Sequence, residues 1–152
     1  MLKEVVGSLF DSKETFICHQ CNCVTNKSAH LSKDMFTTYP YADVYTAREE
    51  PTEPGTVELR GNGSDERFVV NMFGQYYPGR SKYRTGKDTL TVRQGYFRRC
   101  LEAMKDLKGS FAFPCRIGCG AAGGDWEVYR KMIEEFAEGR DVTIYRLPGL
   151  GE

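Results

Sequence analysis

The sequence predicts an α/β domain in which a β-sheet carries helices on both faces. Short apolar segments typical of strands alternate with segments whose apolar residues recur at helical spacing, which favours this layered arrangement. The chain has 152 residues, a length at which one domain buries roughly 70% of the surface that its unfolded chain exposes. We therefore expect a single domain over residues 1–152, without internal repeats.

The composition is that of a globular protein with no overall charge. Hydrophobic residues make up 40% of the chain and aromatic residues 12%, and 21 Lys and Arg balance 21 Asp and Glu. A neutral chain does not bind nucleic acid or an anionic membrane through its overall charge, although a local basic patch is compatible with neutrality. The first six residues contain no long apolar run, so we expect neither a signal peptide nor a membrane span.

Six cysteines occur, and three of them, Cys18, Cys21 and Cys23, crowd one apolar segment. Because no export signal accompanies them, this clustering favours reduced thiols in an intracellular protein, cytoplasmic or nuclear. A zinc site is disfavoured, since strand alternation sends neighbouring side chains to opposite faces and no second C-x-x-C pair is present. We expect no metal and no cofactor.

In the first half of the chain, strands are predicted at residues 2–6, 15–20, 56–59 and 68–73. A helix is predicted over 28–38, where Leu31, Met35 and Phe36 stand at helical spacing, and Pro40 ends it. The segment Gly61-Asn62-Gly63-Ser64 predicts the turn between the third and fourth strands.

In the second half, a loop rich in Tyr, Gly and basic residues spans 74–90, and a helix is predicted over 91–107. Its apolar stripe consists of Phe97, Cys100, Leu101, Met104 and Leu107. A strand follows at 110–114, and the last strand is predicted at 142–147. Between them, Asp125 opens a helix with apolar residues on one side: Trp126, Tyr129, Ile133 and Phe136.

The strongest chemical signal is the loop at residues 118–124, which contains four glycines between a strand and a helix. Glycines let backbone N–H groups approach an anion closely, and the positive end of the following helix favours negative charge. This pattern predicts a diphosphate bound by the main chain. The alternative is a tight turn without a ligand, but the loop holds more small residues than a turn needs.

Two other phosphate motifs do not fit. Gly118, Gly120 and Gly123 satisfy G-x-G-x-x-G, yet that dinucleotide fingerprint usually opens a βαβ series, and here one strand remains after it. The acidic residue that should end the next strand is missing, because Asp141 precedes that strand and Arg146 ends it. No Gly-Lys-Ser/Thr follows the glycines, which excludes a Walker loop.

Three segments, taken together, resemble a macro domain: residues 18–25 (CHQCNCVT), 71–77 (NMFGQYY) and 116–126 (RIGCGAAGGDW). The third is similar to a ligand loop of the branch that contains terminal ADP-ribose protein glycohydrolases and ADP-ribose-1''-phosphate phosphatases. The resemblance implies a three-layer α/β/α sandwich with a central mixed sheet, and ADP-ribose lying across the crest of that sheet.

The resemblance also implies binding residues. The loop over 22–32 would hold the distal ribose, with Asn22 in contact with it or, alternatively, serving as a turn residue. Tyr76 could stack on a ribose or base, and Gln75 and Ser8 are further candidates. The diphosphate would lie against Gly118, Cys119, Gly120, Ala121, Ala122, Gly123 and Gly124.

The sequence departs from its relatives at three of these positions. Ser8 stands where many macro domains have an acidic residue near the adenine. Gln75 stands close to the catalytic lysine of one glycohydrolase branch, and Ala122 stands at its partner aspartate. A mechanism through a lysine adduct therefore does not carry over.

Two side chains are candidates for catalysis. Asp125 is the carboxylate nearest the loop in sequence, and its alternative role is to cap the helix that follows. His30 could act as acid or base near neutral pH if it faces the cavity; the alternative is a histidine on a helix surface. His19, on a buried strand, is expected to be a hydrogen-bonded core residue.

The sequence therefore predicts a domain that binds ADP-ribose. Two hydrolase activities fit: removal of ADP-ribose from a modified protein or nucleic acid, and removal of the phosphate from ADP-ribose-1''-phosphate. The alternative is a non-catalytic reader of ADP-ribose. We expect a monomer that does not associate with membranes.

Overall fold

A computed structural model describes residues 1–63 and 67–148. The strands are β1 (Leu2–Val6), β2 (Phe16–Cys21), β3 (Val57–Gly61), β4 (Phe68–Phe73), β5 (Phe111–Pro114) and β6 (Val142–Arg146). The α-helices are α1 (His30–Thr38), α2 (Leu90–Ala103) and α3 (Trp126–Phe136), and short 3-10 helices lie at Leu9–Asp11 and Pro40–Ala42.

The strands form one mixed sheet in the order β1-β6-β5-β2-β4-β3. The strand pairs run parallel except β3 and β4, which are antiparallel at one edge. Helices cover both faces, so the predicted three-layer α/β/α sandwich with a central mixed sheet is confirmed. None of the helices described is long and apolar enough to span a bilayer.

Two apolar cores lie on the two faces of the sheet. One packs α2 and α3 against the sheet and contains an aromatic cluster, in which the ring centre of Phe111 lies 5.0 Å from that of Phe16, stacked, and 5.0 Å from that of Phe136, edge to face. The other packs α1 and the chain after it through Met35 and Phe36. Strand alternation places Cys18 in the first core and Cys21 in the second.

The predicted elements are all present, with shifted ends. Helix α1 begins at His30 rather than two residues earlier, because Ala29 is extended with φ −147° and ψ 159°. Helix α2 ends at Ala103 rather than at 107, since the amides of Met104, Lys105 and Leu107 bond three residues back and tighten the chain into turns. The predicted turn over residues 61–64 includes Ser64, which lies outside the described residues.

The connections leaving β2 and β5 diverge. The chain after β2 forms α1 on one face of the sheet and returns on the β4 side, whereas the chain after β5 forms α3 on the opposite face and returns on the β6 side. Two neighbouring parallel strands whose connections part in this way leave a crevice beyond their carboxyl ends. The fold therefore places the candidate ligand site between the loops after β2 and β5.

Candidate functional site

A cleft of about 350 Å³ occupies this crevice. One wall is residues 114–122, the loop after β5, and the facing wall is formed by residues at 27 and 29–32, where α1 begins. Gln20, Asn22 and Tyr45 complete the lining together with Gln75, Pro78 and Gly79. The volume is in the usual range of small-molecule sites.

The backbone of the loop after β5 turns tightly and leaves donors free. The amides of Cys119 and Gly120 both bond to the carbonyl of Arg116, and the amide of Gly124 bonds to the carbonyl of Gly118 at 3.1 Å. No described residue accepts a hydrogen bond from the N–H groups of Gly118, Ala121 or Ala122. Unpaired backbone donors beside a cleft are groups that an anion can satisfy.

Two glycines of this loop are required by its packing. Gly118 has φ +75°, and a Cβ at this position would approach the Tyr129 ring to 2.7 Å. At Gly124, a Cβ would lie 2.5 Å from the carbonyl oxygen of Gly118. By contrast, Gly120 lines the cleft, and a Cβ there would meet no atom within 4 Å. Of these three glycines, Gly120 is therefore the one that a larger side chain could replace without disturbing the packing of the loop.

The opposite wall supplies a second set of donors. Ala29, which precedes α1, gives it no side-chain cap. No described residue accepts from the N–H groups of His30, Leu31 or Ser32, so the positive end of α1 faces the cleft. The sequence predicted this role for α3, but the carboxylate of Asp125 caps that helix by accepting from Glu127 N at 3.1 Å.

Among residues 1–63 and 67–148, two non-glycine residues have positive φ, and both line the cleft. His30 has φ +56° and Arg116 has φ +66°. A side chain in this region of conformational space costs of order 1 kcal/mol and persists only where the surroundings enforce it, which is common at functional sites. The strain is thus concentrated at the two walls of the cleft.

Arg93 of α2 fixes the loops on one side of the cleft. It is 1% exposed and pairs in bidentate fashion with Asp88, through Nη2–Oδ2 at 2.7 Å and Nε–Oδ1 at 3.0 Å. Its other N–H groups donate to the carbonyls of Gly79, Tyr77 and Ala122 at 2.8, 3.1 and 3.2 Å. All five guanidinium donors are therefore used, and two of the carbonyls belong to cleft residues.

Two glutamines form the floor. Gln20 Nε2 donates to Gln75 Oε1 at 2.7 Å, and Gln75 Nε2 donates to the carbonyl of Tyr77 at 2.9 Å. The amide of Gln75 is therefore engaged in holding the loop after β4. Gln75 lines the cleft, its hydrogen bonds give it a positioning role, and its predicted ligand contact stays a prediction.

Asn22 folds the start of the loop after β2. Its Oδ1 accepts from the amides of Val24 and Thr25, each at 2.9 Å, and its Nδ2 donates to Thr25 Oγ1 at 3.0 Å. This is the turn role that the sequence allowed. The residue also lines the cleft, where the predicted contact with a distal ribose stays a prediction.

Below the cleft, His19 is completely buried and hydrogen-bonded, as predicted. Its Nε2 lies 2.5 Å from Asn71 Oδ1. Burial disfavours the charged ring and lowers its pKa to about 4, against a smaller upward effect of the Asn71 hydrogen bond. The imidazole is therefore neutral at physiological pH.

Five of the cysteines are buried thiols, and Cys115 is half-buried. All six are free. Burial raises the pKa of the Cys119 thiol, in the cleft lining, to about 12, and it raises that of Cys23 to about 12 as well. Protonated thiols are poor nucleophiles and poor metal ligands.

The predicted site residues divide into two groups. Eight of them line the cleft: Asn22, His30, Gln75, Gly118, Cys119, Gly120, Ala121 and Ala122. Five lie outside its lining: Ser8, Tyr76, Gly123, Gly124 and Asp125. Of these five, Gly123 and Gly124 continue the loop.

The other three occupy local positions. Ser8 caps a 3-10 helix by accepting from Phe10 N at 3.1 Å. The ring of Tyr76 lies under Lys87, whose Nζ is 4.0 Å from the ring centre. Asp125, as described above, caps α3. The predicted ligand contacts of Ser8 and Tyr76 and the catalytic role of Asp125 therefore stay predictions.

Several cleft residues were not predicted. Tyr45 lines the cleft, and Arg93 positions its loops. Ser32, also in the lining, lay within the predicted 22–32 loop but was not named individually. Arg93 stood within a well-predicted helix, but a charged residue on a helix ordinarily faces water. Gln20, in the floor, lay within the segment 18–25, so the resemblance contained its signal.

The charge of the lining is also distinctive. It includes the cations Lys27 and Arg116, and no Asp or Glu belongs to it in the part of the chain that the structure describes. With unpaired N–H groups on both walls, the cleft is suited to an anion and offers no carboxylate to repel one.

No family model matches the sequence, and no curated protein matches it either. Solved structures do. A crystal structure of a Bacteroides thetaiotaomicron protein is 26% identical, over 97% of this chain and 100% of that one, with a TM-score of 0.73. The macrodomain of Mycobacterium tuberculosis DarG is 19% identical, over 95% and 97%, with a TM-score of 0.74.

A third match is Thermosipho africanus DarTG in complex with ADP-ribose, which is 17% identical over 97% of this chain and 42% of that one, with a TM-score of 0.72. The mixed sheet, the helices on both of its faces and the cleft thus define an α/β/α sandwich. Unpaired backbone N–H groups lie beside the cleft, beyond the carboxyl ends of the strands. More particularly, the chain has the macro domain fold, as the sequence predicted.

The buried His19 makes stability depend on pH. Its pKa is near 6.5 in the unfolded chain and about 4 in the folded protein. Between these values the unfolded state binds more protons, so the free energy of unfolding falls by roughly 3 kcal/mol as pH drops from 6.5 to 4. Urea unfolding at several pH values should show a smaller fall in His19→Gln. His30→Gln, at an exposed site, should keep the full fall; equal slopes in all three proteins would contradict this assignment.

Replacing Arg93 by Met should strongly destabilise the protein, because it leaves Asp88 charged and buried without its partner. Breaking a buried pair in this way costs about 3–5 kcal/mol. Denaturant unfolding measures the loss. The control is Arg98→Met on the exposed side of the same helix, where we expect a change within about 0.5 kcal/mol. A similar fall in the free energy of unfolding in both variants would show that the hydrogen bonds of Arg93 stabilise the protein no more than an exposed arginine does.

Proposed function

We propose that the cleft binds ADP-ribose, with its diphosphate against residues 117–124 and its distal ribose on the α1 side. The observation that carries this proposal is the convergence of unpaired N–H groups from Gly118, Ala121 and Ala122 with those at the start of α1. Main-chain donors fit a linked diphosphate in a cleft with few cations. The ADP-ribose complex of the T. africanus protein, which shares the fold, supports the same ligand.

We further propose that the protein hydrolyses an ADP-ribose derivative, preferably by removing ADP-ribose from a modified protein or nucleic acid. Water attacks the anomeric carbon as the bond to the modified group breaks, and charge develops in an oxocarbenium-like transition state. The proton lost by the water must reach the leaving group. His30 lines the cleft and is the candidate to carry it, since imidazole exchanges protons near neutral pH.

A specific observation favours the reader alternative. No carboxylate of the described residues lines the cleft, and Gln75 and Ala122 stand near the positions of the catalytic lysine and its partner aspartate in one glycohydrolase branch. A cleft that binds by backbone donors alone would hold ADP-ribose without turnover. Dephosphorylation of ADP-ribose-1''-phosphate is the second hydrolytic candidate, and the same assays test all three.

Replacing Gly120 by Leu should abolish ADP-ribose binding. The side chain would enter the open space of the cleft, where it competes with the diphosphate without straining the loop. We expect a loss of affinity of at least about 100-fold, equivalent to roughly 2.7 kcal/mol, measured by isothermal titration calorimetry. The matched control is Gly95→Leu on α2, which also enters open space and should bind normally. Unchanged binding in Gly120→Leu would disprove the loop assignment.

If the protein is a hydrolase, His30→Ala should slow turnover by about 100-fold, a typical contribution of general acid–base catalysis, while ADP-ribose affinity stays within about twofold. Product release is followed with ADP-ribosylated protein, ADP-ribosylated DNA and ADP-ribose-1''-phosphate. Asp125→Ala removes a helix cap and should cost about 1 kcal/mol of stability; its turnover tests the other predicted catalytic residue, and a loss beyond that expected from stability would assign the reaction to this carboxylate. ADP-ribose binding without turnover of any substrate by the unaltered protein would establish the reader instead.

A further inference from the structure

A strongly basic loop, residues 80–87, lies immediately before α2. It contains the cations Arg80, Lys82, Arg84 and Lys87, with no Asp or Glu among them. All four cations are exposed, and none of them forms an ion pair within residues 1–63 and 67–148. Because the whole chain has as many basic as acidic residues, the rest of the molecule is acidic on balance. Positive charge is therefore concentrated on this loop.

The basic loop is fixed at both ends. Before it, the carbonyl of Gly79 accepts from Arg93 at 2.8 Å. At its end, the hydroxyl of Tyr96 donates to the carbonyl of Lys87 at 2.6 Å. A segment that the fold already holds in this way costs less entropy to order around a ligand than a free chain does.

The position of the basic loop is beside the cleft but outside its lining. The Arg80 side chain lies against the loop after β5, since a Cβ on Gly123 would be 2.9 Å from its Nη1. Pro78 and Gly79, which precede the basic loop, line the cleft, whereas none of residues 80–87 does. A polymer bound along the basic loop therefore passes close to the cleft without occupying it.

An exposed aromatic ring stands between two of the cations. Tyr83 is 49% exposed, and Lys82 and Arg84 flank it in sequence. Its ring centre lies 5.4 Å from that of Tyr77, which supports it from the protein side. Cations that follow phosphates, combined with an aromatic ring on which a base stacks, are the arrangement that binds single-stranded nucleic acid. An acidic peptide would engage the cations but would offer Tyr83 no base to stack on.

We propose that the basic loop binds single-stranded nucleic acid, with phosphates on Lys82, Arg84 and Lys87 and a base stacked on Tyr83. Every base has a face on which a ring can stack, so the contact does not depend on sequence. Phosphate contacts release counterions, and the affinity therefore falls as salt is added. This inference goes beyond the proposed function, because the strand binds here without carrying ADP-ribose.

The test measures binding of a labelled oligothymidine of about 12 nucleotides, within the length that one such surface covers, by fluorescence anisotropy at several salt concentrations. The double variant Lys82→Gln/Arg84→Gln should weaken binding by at least about 10-fold. It should also reduce the slope of log affinity against log salt by about 1.4, since each phosphate contact to a single strand contributes roughly 0.7. Tyr83→Ala should weaken binding by about 5- to 150-fold, the range for one stacked base, and leave the salt slope unchanged.

The matched control is Lys13→Gln/Lys108→Gln, which removes the same charge from two exposed positions. These residues precede β2 and β5, so they lie at the end of the sheet opposite the cleft, and binding should stay within about twofold. Thermal unfolding shows whether each variant is folded. Calorimetry with ADP-ribose should give the same affinity in all variants as in the unaltered protein, because none of the changed residues lines the cleft.

Four outcomes overturn the proposal. The unaltered protein does not bind the oligothymidine at low salt; both double variants weaken binding equally, which indicates attraction by charge alone; Tyr83→Ala binds normally, which indicates that no base is stacked; or a polyglutamate peptide of equal charge binds as tightly, which assigns the surface to an acidic protein. None of these results bears on the proposed function, since ADP-ribose binding by the unaltered protein is measured separately.

Discussion

The five donors of Arg93 hold together the loops that make one side of the cleft. The loops after β4 and β5 come from strands that are not neighbours, since β2 lies between them. The sheet ladder spaces the two strands but makes no bond between the loops that follow them. A single guanidinium that bonds to Gly79, Tyr77 and Ala122 joins them instead. Asp88 neutralises the charge and also accepts from the Tyr76 amide at 2.8 Å, so the pair orders both ends of the loop after β4.

This arrangement would allow a neutral chain to bind the doubly charged group of the proposed ligand. Arg93, which orders the cleft, has its charge paired within the protein, and the proposed diphosphate is left to main-chain donors of the β5 loop. Backbone N–H groups cost little entropy to orient, because the fold has already fixed them. Gly118 and Gly124 hold that orientation, since no side chain fits between the loop, Tyr129 and Gln20. The glycines therefore serve packing as much as access.

The sequence predicted the strands, the helices and the β5 loop because their signals are local. Apolar periodicity identifies an element without reference to its neighbours, and the density of glycine at 118–124 marked the loop. Relations between distant segments had no such signal. The contact of Arg93 with Ala122 spans 29 positions, and His19 meets Asn71 across 52. The sequence also assigned the open helix end to α3. The cap at Asp125 that closes this end is local, and the sequence offered it as an alternative; that the uncapped start of α1 faces the cleft depends on how distant segments pack, which had no local signal.

A shared fold does not decide whether the cleft catalyses a reaction. Solved structures with 17% to 26% identity have the same architecture, and function depends on the side chains placed at the site. In this chain the lining contains no acidic side chain among the described residues, and its polar groups are mostly engaged in holding one another. Such a cleft is well suited to ligand binding without catalysis, since each hydrogen-bonded side chain is held in one orientation. Acid–base catalysis requires a side chain that is not already hydrogen-bonded within the protein. His30 meets this requirement, because it lies at the exposed start of α1 and its side chain has no hydrogen bond among the described residues.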